Sequence, residues 1–101
     1  IAVAFNDYSA EVEQALLAQP AVQDGAVFGL PDDKWGERVC AVVQLRAGHS
    51  ADPDELIAAV KAAIGSVKAP KELEIWDDLP RSKVGKVLKK DIRAQKLGER
   101  S

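Results

Sequence analysis

The chain has 101 residues, 47% of them apolar and 30% charged, which is enough for one modest core and too apolar for a disordered segment. A formal charge of −2, a single cysteine, Cys40, and a single histidine, His49, exclude a global field for nucleic acid or an acidic membrane surface, an intramolecular disulfide and an ordinary structural zinc site. No apolar run approaches the roughly 20 residues of a membrane span, the start lacks the layout of a signal peptide, and Ile1 at the head of a sequence without methionine reads as a piece of a longer, soluble, cytoplasmic protein.

In chain order, Ser9 precedes an acidic first turn with Glu11 and Glu13, and Val12, Ala15 and Leu16 fall at helical spacing until Pro20 forbids continuation. Ala26-Val27-Phe28 is a short apolar run closed by Gly29, Pro31 and two aspartates, a strand entering a loop that carries Lys34-Trp35-Gly36-Glu37. Arg38 to Leu45 alternates Val39, Ala41, Val43 and Leu45 on one face with Cys40, Val42 and Gln44 on the other. Both faces are apolar enough to predict a central strand with something packed on each side.

Asp52-Pro53-Asp54-Glu55 predicts a helix start, with Asp52 as cap, Pro53 at the first position and Glu55 reaching back to close a capping box. Leu56, Val60, Ala63 and Ile64 form its apolar stripe, and Gly65 is placed for a left-handed cap. Glu72-Leu73-Glu74-Ile75-Trp76 alternates like a strand with one wet face. Arg81 to Lys86 has no helical period and reads as a loop, followed by a basic helix from near Lys89 to Gly98. The order helix, strand, strand, helix, strand, helix predicts a single α+β domain, a small, mainly antiparallel three-stranded sheet covered by helices.

Chemistry has to come from the loops. Lys86 follows Gly85 directly, in the loop after the last strand. A mobile ammonium there offers a point charge to phosphate or carboxylate oxygens, and the glycine allows close backbone approach; a solvated surface turn is the plain alternative. A phosphate-cradling P-loop requires a glycine five residues before Gly85 and a hydroxyl after the lysine. Pro80 and Val87 stand at those positions, so that reading fails. Lys83, Lys86, Lys89, Lys90, Arg93, Lys96 and Arg100 face only Asp91 and Glu99 in the tail, a local cationic patch. Without interleaved aromatics as a stacking platform it reads as a solvated helix face rather than a nucleic-acid arm.

Several motifs stand in one order: Glu11-Val12-Glu13, Gln19-Pro20-Ala21-Val22, Gly29-Leu30-Pro31-Asp32-Asp33 with Trp35-Gly36-Glu37, Lys68-Ala69-Pro70-Lys71, and Leu79-Pro80 through Gly85-Lys86. Together they resemble the C-terminal domain of acyl-CoA synthetases, in the adenylate-forming family that includes luciferases and nonribosomal peptide adenylation domains. The resemblance covers nearly the whole chain. It implies that residues 1–101 are one lid domain working on an N-terminal adenylation domain, with 1–9 an altered loop after the hinge. ATP and coenzyme A are then substrates of the complete enzyme, Mg2+ is bound through the N-terminal domain, and the fragment alone binds none of them and does not turn over.

Residue by residue, Lys86 matches the catalytic lysine of acyl-adenylate formation, beside Gly85. Lys61 matches a position where relatives place a basic residue near the 3′-phosphate of coenzyme A; an exposed helix lysine is the alternative. Relatives are also switched off by a lysine acyltransferase acting at the position of Lys86, whose charge acylation removes. The chain departs from the resemblance at its start. Relatives commonly read Ser-Gly-Gly in the loop along the path of the pantetheine arm, where Ala2, Val3 and Ala4 stand, and Asp7 and Ser9 replace apolar residue and proline around Tyr8. Val3 lacks the backbone freedom of glycine, which puts the thioester step rather than the adenylation step in question. Engineering of the isolated domain and divergence both fit this start. The same holds for function: a catalytic lid, or a free-standing domain that docks to a synthetase body without catalysis.

Overall fold

The computed structural model describes residues 9–32 and 36–100, except for the side chains of Asp32, Glu99 and Arg100. The altered start, Ala2 to Asp7, and Lys34 and Trp35 of the first loop lie outside the described residues. Helix α1 spans Ser9–Leu17, with Val12 and Leu16 buried one above the other and Glu11 in the first turn, where the helix dipole favours a carboxylate. Ser9 is itself buried as the helix opens. The helix ends in a tightened turn, Gln19 N–H donating to the Leu16 carbonyl (3.0 Å), immediately before Pro20.

Strands β1 (Val22–Asp32) and β2 (Gly36–Leu45) pair antiparallel, with Val27 opposite Ala41 and Phe28 opposite Cys40. β1 is longer than the apolar run predicts: it continues through Gly29, Leu30 and Pro31. The sheet order β1-β2-β3 makes β1 an edge. The Val27 N–H turns outward to Glu13 Oε2 (3.1 Å) and the Gly29 carbonyl outward to Arg93 Nε (2.8 Å). By the two-residue alternation Pro31 has its nitrogen on that same outer edge, where no ladder hydrogen bond is lost.

Helix α2 (Pro53–Ile64) starts where predicted. The Asp52 carboxylate accepts the Asp54 N–H at 2.8 Å and Pro53 is the first helical residue. Leu56 and Val60 are buried and Ile57 and Ile64 half-buried, whereas Ala63, assigned to the apolar stripe, is exposed. Gly65 does have positive φ (+91°), but its ψ of 161° is extended, not left-handed helical; only glycine adopts that combination easily. Helix α2 returns the chain so that β3 (Glu72–Ile75) joins β2 in parallel, Cys40 opposite Glu72 and Val43 opposite Ile75. The sheet is therefore mixed, its longer pair antiparallel, and helix α3 (Lys89–Arg100) closes the α+β domain.

Alternation along β2 organises two cores. Val39, Ala41 and Val43 pack with Val12 and Leu16 of α1 and Leu56 and Val60 of α2, while Cys40 and Val42 pack with Phe28, Leu30, Leu79 and Ile92 of α3. The central, doubly covered strand is as the sequence predicts. The polar face predicted for β3 is only partly wet: Glu72 and Glu74 are half-buried and hold Lys96 of α3, whose side chain is only 6% exposed. No buried side-chain nitrogen or oxygen among the described residues lacks a hydrogen-bond partner.

Candidate functional site

Lys86 sits in a hydrogen-bonded hairpin rather than a loose loop. Leu79 is buried and anchors its entry. Leu88 N–H donates to the Pro80 carbonyl (2.9 Å), Arg81 bridges Val87, Ser82 N–H donates to the Lys86 carbonyl (2.8 Å), and Gly85 N–H to the Ser82 carbonyl (2.9 Å). This is a β-turn over Ser82–Gly85 followed by a glycine bulge, and Gly85 has the positive φ (+86°) that the bulge needs. A Cβ on Gly85 would meet nothing within 4 Å, so the backbone angle, not crowding within the domain, explains the glycine there.

Two side chains hold the peptide that precedes Lys86. Arg81 Nη1 donates to the Gly85 carbonyl (3.2 Å), and Lys86 N–H donates to Ser82 Oγ (3.2 Å). Arg81 Nη2 reaches back to the sheet, to Asp24 Oδ2 (2.9 Å) and Gln44 Oε1 (2.7 Å). Asp24 lies at the β-bulge between Val22 and Asp24, an irregularity of the kind that re-aims a side chain. The ammonium expected to be mobile thus stands on a hydrogen-bonded backbone rather than on a loose loop. Its own side chain is exposed, and no ion pair joins it to any described residue. Val84 at the tip of the turn is 90% exposed.

Part of the cationic tail is engaged within the domain, while Lys83, Lys86 and Lys90 are exposed. Lys89 pairs with Glu13 (2.8 Å), Arg93 with the Gly29 carbonyl, and Lys96 with Glu72 (3.0 Å) and Glu74. Around Lys96, burial works to lower the ammonium pKa, but the hydrogen bonds and charges of Glu74 and Glu72 outweigh it and raise the pKa above the ordinary lysine value. Burial likewise pushes both carboxyls up. Lys96, helped by Arg38 at Glu72 and by the Trp76 indole at Glu74, wins and holds both below the ordinary carboxylate range. Burial pushes the Cys40 thiol up, so this cysteine is an inert packing residue.

Lys61 is exposed in the last turn of α2, on the face of the sheet opposite α3, where a cation suits the helix C-terminus. No described hydrogen bond or ion pair links it to the Lys86 hairpin. An open depression of about 640 Å³ runs between Gln19–Ala21 and His49–Leu56, and no residue of Arg81–Lys86 lines it. Among the described residues no group of three or more His, Cys, Asp or Glu is placed to hold a metal, and no helix is long and apolar enough to cross a membrane. Sequence reasoning missed Arg81 and Lys96. Their partners are 57 and 37 positions away for Arg81 and 22 for Glu74 of Lys96, and nothing local marks such pairs.

Residues 11–86 match the family described as the AMP-binding enzyme C-terminal domain. The chain is 44% identical over 85 residues to the mitochondrial malonate–CoA ligase of Bos taurus, covering 84% of this chain and 14% of that protein. It is also 44% identical over 98 residues to a medium/long-chain-fatty-acid–CoA ligase of Mycobacterium tuberculosis, covering 90% and 17%. Among solved structures it resembles the Brucella canis acyl-CoA synthetase with a TM-score of 0.83 at 31% identity, over 92% of this chain and 18% of that one. The chain thus spans less than a fifth of the length of these relatives, at the same fold and with Lys86 the last residue of the family match, and it belongs to the AMP-binding enzyme C-terminal domain family of acyl-CoA synthetases and related AMP-binding ligases.

Proposed function

We propose that this chain is the lid of an ATP-dependent carboxylic acid–CoA ligase and that Lys86 is its catalytic residue. The lid closes on an N-terminal adenylation body that holds ATP, the acid and Mg2+. In the first half-reaction a carboxylate oxygen attacks the α-phosphorus and pyrophosphate leaves. Attack brings two anionic groups together in a closed site, and a preorganised ammonium offsets that charge where water is excluded. The lid then turns, and the thiol of coenzyme A displaces AMP at the acyl carbon.

The observation that carries this reading is that Lys86, directly after Gly85, stands exposed on a backbone held by Arg81 and Ser82, whereas Lys89, Arg93 and Lys96 of the following helix are engaged inside the domain; Lys83 and Lys90 are exposed as well, and the anchored peptide is what sets Lys86 apart. A charge held ready and uncompensated suits an anionic substrate supplied by another body. On this reading turnover requires the adenylation body, which holds ATP and the acid, and is not expected of this domain alone. Gly85 gives the turn its shape and leaves its outer surface open to substrate, and Lys61 contributes a point charge for the 3′-phosphate of coenzyme A. Acid choice resides in the adenylation body. Acylation of the exposed Lys86 ammonium by a lysine acyltransferase would silence the first half-reaction, and intact-mass analysis with acetyl-CoA checks for the added group. We place the enzyme in the cytoplasm, where the lone buried thiol of Cys40 stays reduced.

The test is pyrophosphate release from a panel of carboxylic acids by a lid-deleted synthetase body with and without this domain. The wild-type domain is expected to restore release and Lys86→Ala to lower it by about 100-fold or more, the scale of one lost preorganised charge. Thioester formation from supplied acyl-adenylate should be much less affected. Equal loss in both half-reactions defeats the assignment of Lys86, and docking without Lys86-dependent rescue marks a non-catalytic docking domain. Lys61→Glu is expected to raise the coenzyme A KM by about 2- to 5-fold, as one surface charge does, with pyrophosphate release unchanged; an unaltered KM removes Lys61 from the site.

A further inference from the structure

The peptide between Gly85 and Lys86 is held on both sides. Its carbonyl accepts from Arg81 Nη1 and its N–H donates to Ser82 Oγ, at 3.2 Å each. A peptide group is planar, so holding its oxygen and its N–H places the Lys86 Cα, and the bond from the Ser82 N–H to the Lys86 carbonyl (2.8 Å) restrains the remaining rotation that sets where the side chain leaves the backbone. Ser82 belongs to the turn itself and moves with it. Arg81 does not depend on the turn alone: its other nitrogen is bound to Asp24 at the start of β1 (2.9 Å) and Gln44 near the end of β2 (2.7 Å). The guanidinium is therefore a strut from the sheet to the carbonyl just before the lysine. Its planar fork gives the strut a fixed geometry that a lysine ammonium does not reproduce.

We propose that Arg81 is the positioning residue for Lys86, setting the lysine's aim toward the reacting phosphate from the rigid sheet. The proposal rests on Lys86 acting in acyl-adenylate formation. Displacement of a charged group by about 1 Å costs up to about 100-fold in rate. Arg81→Lys, which keeps the charge and loses the fork, is therefore expected to slow adenylation by about 10-fold or more.

The test joins this domain to a lid-deleted synthetase body and compares four proteins: wild type, Arg81→Lys, Lys86→Ala and the double variant. Arg81→Lys should slow pyrophosphate release while leaving thioester formation from supplied acyl-adenylate within about 2-fold, and it should add nothing on the Lys86→Ala background. A loss shared by both half-reactions, or one that multiplies the Lys86→Ala loss, overturns the proposal, because Arg81 would then act on the whole fold or on its own account.

A second readout needs no catalysis. In the 101-residue chain, amide exchange at Ser82 and Gly85 should quicken in Arg81→Lys while Val42 in the core is unchanged; unaltered exchange at the turn overturns the strut. If Lys86→Ala leaves adenylation intact, the role of Lys86 is what has failed, and so has the aim assigned to Arg81. Faster turn exchange in that case marks a strut that shapes the hairpin only.

Discussion

Lys86 and Lys96 are ten residues apart and have opposite fates. Lys96 points from α3 onto the sheet, is nearly inaccessible, and is held by the carboxylates of Glu72 and Glu74. Lys86 stands on a hairpin whose backbone bonds are satisfied, with its ammonium exposed and no described ion-pair partner. One cation fastens a helix to a strand and the other is kept available. The comparison teaches that basic character along a segment says little until partners are known: the same residue type is tied into the fold where two carboxylates converge and stands exposed where none reaches it.

The comparison breaks most readily at Lys86. Lys86→Ala is expected to lower adenylation by about 100-fold, about 2.7 kcal/mol of transition-state stabilisation, while the unfolding free energy of the chain in urea moves by less than about 0.5 kcal/mol. A stability loss matching the rate loss would make Lys86 structural after all. Lys96→Met should do the reverse. It leaves Glu72 and Glu74 near each other without their shared cation, and a cost of about 2 kcal/mol is expected, below the full value for a buried pair because both carboxylates are partly screened by water. Adenylation per folded molecule should be unchanged.

The smallest effect is the pH dependence, and it sharpens the same contrast. Glu72 and Glu74 have pKa values below their ordinary 4.5 in the folded chain. Their contribution is therefore full above about pH 4.5 and is lost as pH falls through the lowered values. The Lys96 pKa is raised above 10.5, so its contribution is full below about pH 10.5 and is lost as pH rises through the folded value. The stability gap between wild type and Lys96→Met should be flat from about pH 5 to 10 and narrow by about 1 kcal/mol toward pH 3, measured by urea unfolding. A gap that stays constant to pH 3 would show that the cluster contributes packing rather than charge. The gap between wild type and Lys86→Ala should show no such narrowing.

Much of the fold was legible from local pattern. The strict alternation of Val39 to Val43 announced a strand with two buried faces, and Asp52-Pro53 announced the start of α2, because pleat and capping are decided by residues within a few positions of each other. Pro31 misled: a proline usually ends a strand, and only the assembled sheet reveals that this one lies on an edge. The alternation of Glu72 to Ile75 is enough to predict a strand with a polar face, but not that this face is shared between water and Lys96, which comes from a helix placed there by tertiary packing.

The site divides in the same way. Sequence alone determined that Lys86 follows Gly85 after a strand, and the order of motifs was enough to suggest the family that the comparisons then showed. It also determined where the helices begin and which strand is central, since periodicity and caps are properties of neighbouring residues. Only the tertiary structure decided that β3 joins in parallel, that the loop is a hydrogen-bonded hairpin, and that Arg81 spans from Asp24 and Gln44 to the carbonyl before Lys86. Those contacts join residues brought together by closure of the chain around a shared core, and the geometry of a hydrogen bond exists only once both ends have been placed.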